Sequence, residues 1–211
     1  GTAISPPTGV TTSTSLVCSA SATDADGGSP ALTYAWYLEG GLLGTGPTLS
    51  LDPGTAAPGN TVRCEAAAED PDGGTDTGSS TVTVDNSPPS ISMVLVTPGS
   101  GVLSTSELLC STVAEDPDQE ELDILFLWEN SITGDALGTG ESIALAPSLV
   151  QPGESVLCTA TVSDPSGGAA AASDSVVIEN SPPEAPEVEI LPSSPVEGQD
   201  DLVCVINAEA A

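Results

Sequence analysis

The chain is predicted to be all-β, built from tandem double-sheet sandwiches, two near-complete and one partial. Three observations carry this. Apolar residues alternate with period two in several short runs, the pattern of half-buried strands. Turn clusters such as Asp26-Gly27-Gly28, Asp52-Pro53-Gly54 and Gly167-Gly168 separate those runs. Blocks of sequence also recur at one spacing, the signature of a repeat architecture.

The repeat is explicit. Leu43-Gly44-Thr45-Gly46 returns as Leu137-Gly138-Thr139-Gly140, Pro58-Gly59 through Cys64 as Pro152-Gly153 through Cys158, and Asn86-Ser87-Pro88-Pro89 as Asn180-Ser181-Pro182-Pro183, all at an offset of 94. Leu16-Val17-Cys18 returns as Leu108-Leu109-Cys110 and as Leu202-Val203-Cys204. These matches divide the chain into repeats at residues 1–87, 88–181 and 182–211. The Asn-Ser-Pro-Pro segments are the natural linkers, since proline stiffens the chain and removes a donor. Set against this period, the chain starts inside the first strand of repeat 1 and stops just after the second strand of repeat 3.

Within a repeat, Leu16, Cys18 and Ala20 alternate on one strand, and Tyr34, Trp36 and Leu38 share a face of the next. Val62, Cys64, Ala66 and Ala68 do the same later, and Ile124, Phe126 and Trp128 are counterparts in repeat 2. The only alanine run, Ala169 to Ala172, is too short and too closely flanked by Gly and Ser to found a helix. Gly44-Thr45-Gly46 follows no βαβ pattern and is expected to be a hairpin loop.

Composition narrows the function. The chain of 211 residues carries 31 acidic residues, one basic residue (Arg63) and no histidine, for a formal charge of −30. Such a surface repels nucleic acid and anionic lipid, and no run of about 18 apolar residues is present to insert in a membrane. Without His or Lys there is no Ser-His-Asp triad, Cys-His pair, Schiff base or phosphate cradle, so the sequence argues against an enzyme. The 38% apolar content is patterned but holds only 2% aromatics, so the cores are small and aliphatic. Five cysteines, widely spaced and without a CxxC pair, point to disulfides and an extracellular or cell-surface location. None of the asparagines, Asn60, Asn86, Asn130, Asn180 and Asn207, sits in a glycosylation sequon.

Cys18, Trp36 and Cys64, then Cys110, Trp128 and Cys158, resemble the Cys…Trp…Cys pattern of immunoglobulin-like domains. Together with the Asp/Gly-rich loops, the Tyr-x-Trp strand and the linkers, they look like tandem immunoglobulin-like and PKD-like repeats of bacterial surface proteins. The resemblance implies bridges Cys18–Cys64 and Cys110–Cys158 across two sheets, with a tryptophan packed on each. The tyrosine two residues before the second cysteine is replaced by Val62 and Val156, so any relationship to antibody domains is distant. Cys204 aligns with Cys18 and Cys110. It is unpaired in this stretch, and its partner is expected either further along a longer chain or on another molecule.

Two surface features remain. Acids cluster after the first cysteine strand (Asp24 and Asp26; Glu115, Asp116, Asp118, Glu120, Glu121 and Asp123) and after the second (Glu69, Asp70, Asp72 and Asp76; Asp164). In an immunoglobulin-like topology both loops meet the preceding linker, Asp85-Asn86 for repeat 2. Carboxylate and amide oxygens from three segments are suitable ligands for calcium, which takes about six to eight hard oxygens. The arrangement is similar to cadherin junctions. The alternative is that these residues simply form turns and keep the surface soluble. Separately, Leu125, Leu127, Leu157 and Val177 are expected to point outward on one sheet of repeat 2, where repeat 1 has Ala35, Tyr37, Arg63 and Thr83. Such a patch marks an interface, most simply with a copy of the same chain in a fibre. Tyr37 is the one aromatic placed to contact a glycan. The leading function is thus a structural segment of an extracellular filament, stalk or fibre. The alternatives are an adhesin or glycan-binding module, or an accessory region of a secreted enzyme.

Overall fold

The computed structural model describes residues 1–183 and 185–206; residues 207–211, which close the third predicted repeat and include Asn207, lie outside them. All its regular elements are strands. Repeat 1 consists of β1 (Thr2–Ser5), β2 (Ser15–Ala20), β3 (Ala31–Leu38), β4 (Gly41–Thr45), β5 (Thr48–Ser50), β6 (Thr61–Glu69) and β7 (Thr75–Thr83). Repeat 2 reproduces the series as β8 (Ser90–Thr97), β9 (Glu107–Glu115), β10 (Asp123–Asn130), β11 (Ala136–Thr139), β12 (Ser142–Ala144), β13 (Ser155–Ser163) and β14 (Ala169–Val177). Each is a sandwich of a three-stranded sheet (β1-β2-β5; β8-β9-β12) and a four-stranded sheet (β4-β3-β6-β7; β11-β10-β13-β14), with antiparallel pairing throughout. The chain is a tandem array of immunoglobulin-like β-sandwiches.

The alternation read from the sequence is the burial pattern of the core strands, except that Ile124, expected on the inner face with Phe126 and Trp128, is exposed at the uncovered end of β10. Val156, Cys158, Ala160 and Val162 of β13 are buried, while the residues between them face outward. The alanine run is strand: Ala169 to Ala172 pair with Ser163 to Ala160 in β14, where the ladder supplies hydrogen bonds that a run of four alanines could not secure as an isolated helix.

Both expected disulfides are present. Cys18 and Cys64 bridge the two sheets of repeat 1 with Cα atoms 6.3 Å apart, and Cys110 and Cys158 do so in repeat 2 at 6.4 Å. Trp36 lies directly across the ladder from Cys64, and Trp128 from Cys158, so each indole packs beside a bridge. Around them sit mostly aliphatic side chains: Val10, Leu16, Val62 and Val84 in repeat 1, Val102, Leu108, Val156 and Ile178 in repeat 2, all fully buried. The outer strands are tied in the same way twice. Asp85 N–H donates to the Val10 carbonyl and Glu179 N–H to the Val102 carbonyl, each at 2.6 Å.

The Leu-Gly-Thr-Gly motif is not a hairpin loop within one sheet. Gly44 and Thr45 end β4, and the chain then crosses to β5 in the opposite sheet. Gly46 and Gly140 turn at φ 100°, a left-handed conformation that glycine adopts without steric cost. That turn aims their carbonyls at the buried indoles: Trp36 Nε1–H donates to Gly46 O and Trp128 Nε1–H to Gly140 O, both at 2.9 Å. A buried indole N–H without a partner would be costly, which explains why this motif accompanies the tryptophan in each repeat. Replacing Trp128 by Phe should therefore cost about 1–3 kcal/mol, partly because it strands the Gly140 carbonyl; chemical denaturation measures it.

In the third repeat, β15 (Val188–Leu191) and β16 (Val203–Ile206) pair with Ile190 opposite Cys204, the same register as Ile4 opposite Cys18 and Val96 opposite Cys110. Among the described residues no second sheet covers this pair. Ile190 is 58% exposed where Ile4 is 6%, and Cys204 is a free, exposed thiol.

Candidate metal centre at the repeat junction

The junction between repeats 1 and 2 is built from three segments. The linker leaves β7 and runs through Asp85, Asn86 and Ser87 to the buried Pro89 before β8 begins. The loop from β9 to β10 carries Asp116, Asp118 and Glu120, and the loop from β13 to β14 carries Asp164, Ser166 and Gly168.

Asp116 shapes its own loop. Its Oδ1 accepts the N–H of Asp118 at 2.7 Å and of Glu120 at 3.4 Å, the short side-chain-to-backbone turn that aspartate favours. Gln119 between them has φ 60°, a conformation that its repeat 1 counterpart fills with Gly27. This fold throws Asp118 inward. It is 4% exposed, and it clasps the neighbouring repeat. Asp118 Oδ1 accepts the Thr12 hydroxyl of repeat 1 at 2.5 Å, and Oδ2 accepts the Ser87 N–H of the linker at 2.6 Å. Glu120 Oε1 accepts the Ser166 hydroxyl at 2.7 Å, tying the two acidic loops together. Asn86 Nδ2 donates to Asp164 Oδ2 at 3.0 Å, and Gly168 N–H donates to Asp164 Oδ1 at 2.8 Å.

After these bonds, three buried oxygens have no hydrogen-bond partner: Asn86 Oδ1, Asp116 Oδ2 and Glu120 Oε2. Buried polar atoms are nearly always paired, so such atoms call for an explanation. One ligand oxygen each from Asp116, Asp118 and Glu120 lies within 4.8 Å of the others. Hard, negatively charged oxygens grouped this tightly repel one another unless a cation sits among them. The donor set fits an oxygen-preferring divalent ion, calcium or magnesium, and holds no nitrogen or sulfur that would favour zinc.

The site residues expected from sequence divide into two groups. Asp116, Asp118, Asn86 and Asp164 meet in this one network. Asp164 acts there through Asn86, whose amide it grips. Glu115 at the end of β9 and Asp85 in the linker are exposed and contribute no oxygen to the cluster. In repeat 1 the equivalent carboxylates cap their own turns. Asp24 accepts the N–H groups of Asp26 and Gly28, and Asp70 those of Asp72 and Gly74, while Asp26 and Asp72 are exposed. These loops line an open cleft of about 630 Å³ with Asp76 and Gly1. Gly28 stands where repeat 2 has Glu120, so the third carboxylate is missing. The alternating Asp116-x-Asp118-x-Glu120 spacing was the signal for Glu120. Thr12 and Ser87 had none, because their roles depend on how one repeat seats on the next. Of the expected interface residues, Leu125, Leu127 and Val177 are exposed and Leu157 is half-buried. Tyr37 has one ring face covered by the Arg63 guanidinium, 4.2 Å from its centroid.

No family model matches this chain, and no curated protein does. Solved structures overlap it loosely. Three N-terminal domains of the bacteriophage RB49 Highly Immunogenic Outer Capsid protein share 14% identity at a TM-score of 0.34, over 84% of this chain and 69% of that one. Fibronectin(III)-like modules of Clostridium thermocellum CbhA share 15% at 0.32, over 85% and 94%. A tetra-tandem repeat in the extending region of a large adhesion protein shares 16% at 0.40, over 84% of this chain and 48% of that one. With overlaps this loose, the architecture rests on the chain's own strands, register and bridges.

Two consequences of the junction geometry are measurable. A Cβ on Gly168 would lie 2.3 Å from Asp164 Oδ2 and 2.8 Å from both Asn86 Nδ2 and Pro88 Cα. Gly168→Ala must therefore push the linker off the loop, at a cost of about 1–3 kcal/mol in chemical denaturation. Asp164 also responds to pH. Burial raises its carboxyl pKa, but the Asn86 amide and the N–H groups of Gly168, Gly167 and Ser166 outweigh this and hold it below the ordinary value. A depressed carboxyl contributes stability that is complete above the unfolded value of about 3.9 and is lost as pH falls through the folded one. The Asn86 side-chain amide resonances should thus hold their bonded positions at neutral pH and shift only below that value. In Asp164→Asn this transition should vanish.

Proposed function

We propose that this chain is a structural segment of an extracellular stalk or surface fibre, in which a divalent cation, calcium by its donor set, locks repeat 2 onto repeat 1. The observation that carries this is the crowded trio Asp116, Asp118 and Glu120, in which Asp116 and Glu120 each keep a buried oxygen without a partner, as does Asn86 in the linker that the same loop binds through Ser87. A cation there would join the linker to repeat 2 while Asp118 already holds Thr12 of repeat 1. The hinge would become a fixed joint. Two supports come from the rest of the chain. Both sandwiches are stapled by disulfides, which persist in oxidising, extracellular settings. The formal charge of −30 against a single Arg favours cation uptake over any anionic partner. The proposed role is mechanical.

Calorimetry with and without calcium tests this. Extracellular calcium modules bind at about 10⁻⁴–10⁻³ M, so millimolar calcium should add about 1 kcal/mol and raise the melting temperature by several degrees. Asp116→Asn with Glu120→Gln should abolish the increment, while Asp24→Asn in repeat 1 should leave it intact. Identical melting in calcium and in chelator would refute the proposal.

A further inference from the structure

The open flank of repeat 2 carries a second feature, independent of the metal site. β12 pairs β9 only from Glu107 to Leu109, and β11 pairs β10 only from Leu127 to Glu129. One further bond on each side, Cys110 N–H to Glu141 O at 2.7 Å and Gly140 N–H to Phe126 O at 3.1 Å, ends the cover. Beyond these points both sheets show a bare edge on the same flank. Backbone groups of alternate residues face the same side of a strand, so Ile124 presents its N–H and C=O beside the Phe126 carbonyl with no strand among the described residues to meet them. Between the two edges lies a groove of about 820 Å³, lined by Leu109, Ile124, Leu125, Phe126 and Leu127. Leu125 is 63% exposed and Leu127 38%.

The groove's apolar character is not a by-product of the repeat. With Trp36 and Trp128 in the same register, repeat 1 has Val17 for Leu109, Leu32 for Ile124, Thr33 for Leu125 and Ala35 for Leu127, which corrects the match of Ala35 and Tyr37 to Leu125 and Leu127 expected from sequence; Tyr37 stands where repeat 2 has Glu129. Edge strands are normally protected by charge, proline or a bulge; this one reads Asp123-Ile124-Leu125-Phe126-Leu127, with its single charge at the end. Charge then selects the occupant. Glu141 lines the groove, and Asp123 and Glu115 stand exposed at the strand ends beside it. A second copy of this chain would bring a formal charge of −30 against these acids and one Arg, already bonded to Glu65.

We propose that this flank docks an extended segment of another protein in which apolar and basic residues alternate, added as a strand to the free edge of β10. Main-chain bonds to Ile124 would give the segment its register. Its apolar side chains would fill the groove between Leu109 and Leu125, and its cations would meet Glu141 and Asp123.

The test uses the full chain, isotope-labelled and calcium-saturated at physiological salt, titrated with a blocked peptide of about ten residues alternating Val and Lys, long enough for one strand. The expected result is saturable amide shifts confined to residues 109–114, 123–127 and 139–141. Leu125→Ser, a neutral change at an exposed position, should weaken binding about tenfold or more without altering the melting temperature. Three outcomes would overturn the proposal. One is the absence of saturable binding. Another is equal affinity for a Ser–Lys peptide of the same charge, which would reduce the effect to bulk electrostatics. The last is self-association of the chain that Leu125→Ser abolishes, which would make a second copy the occupant.

Discussion

Replacing Cys110 and Cys158 by alanine should lower the stability of repeat 2 by about 4 kcal/mol, the chain-entropy value for a loop of this span. The bridge closes a separation of 48 residues and joins the two sheets across the core. That core has few large side chains, with Trp128 and Phe126 the only aromatics in its buried cluster. A small domain has only about 5–15 kcal/mol to lose. The double variant should therefore remain folded at low temperature but unfold well before repeat 1, splitting a denaturation curve into two steps. Loss of the Cys18–Cys64 bridge should reverse their order. A change under about 1 kcal/mol would mean that the aliphatic packing alone holds the sheets together.

The second large effect is expected at Asp118. Asp118→Ala removes the acceptor for both the Thr12 hydroxyl and the Ser87 N–H. Each stranded donor costs about 1–3 kcal/mol, so a loss of roughly 3 kcal/mol is expected. The loss should depend on calcium. Without the ion, removing one of three crowded carboxylates also relieves repulsion and offsets part of the damage. With the ion, a ligand is lost as well, and the full effect appears. Denaturation of the variant and parent in calcium and in chelator measures this difference. Thr12→Val, which removes one donor without touching the acidic cluster, should cost less and show no calcium dependence.

The fold was legible because burial within a strand follows period two, and because the four bridged cysteines and both tryptophans sit on the buried side of their strands. Alternation put Cys64 and Trp36 on the inner faces of their strands, and the resemblance to immunoglobulin-like domains implied the bridge and the indole packed on it. The Leu-Gly-Thr-Gly segment was harder, since its glycine serves an indole ten residues earlier and the link is a backbone carbonyl with no side-chain signature. The candidate site was half legible. Asp116 and Asp118 declare themselves by density of charge. Thr12 does not, because a threonine among several threonines and serines gains its role only when a carboxylate 106 residues away folds onto it. The linker was expected to meet the acidic loops of repeat 2 through Asp85-Asn86. Asn86 does so, and Ser87, which carried no signal, bonds Asp118 beside it, so the hinge is already part of the domain it introduces.

Backbone nitrogen relaxation across the whole chain, with calcium and then with chelator, bears most directly on the proposed joint. With calcium bound, repeats 1 and 2 should report one shared rotational correlation time, and chelation should let each tumble faster. Two independent correlation times in saturating calcium would contradict the account.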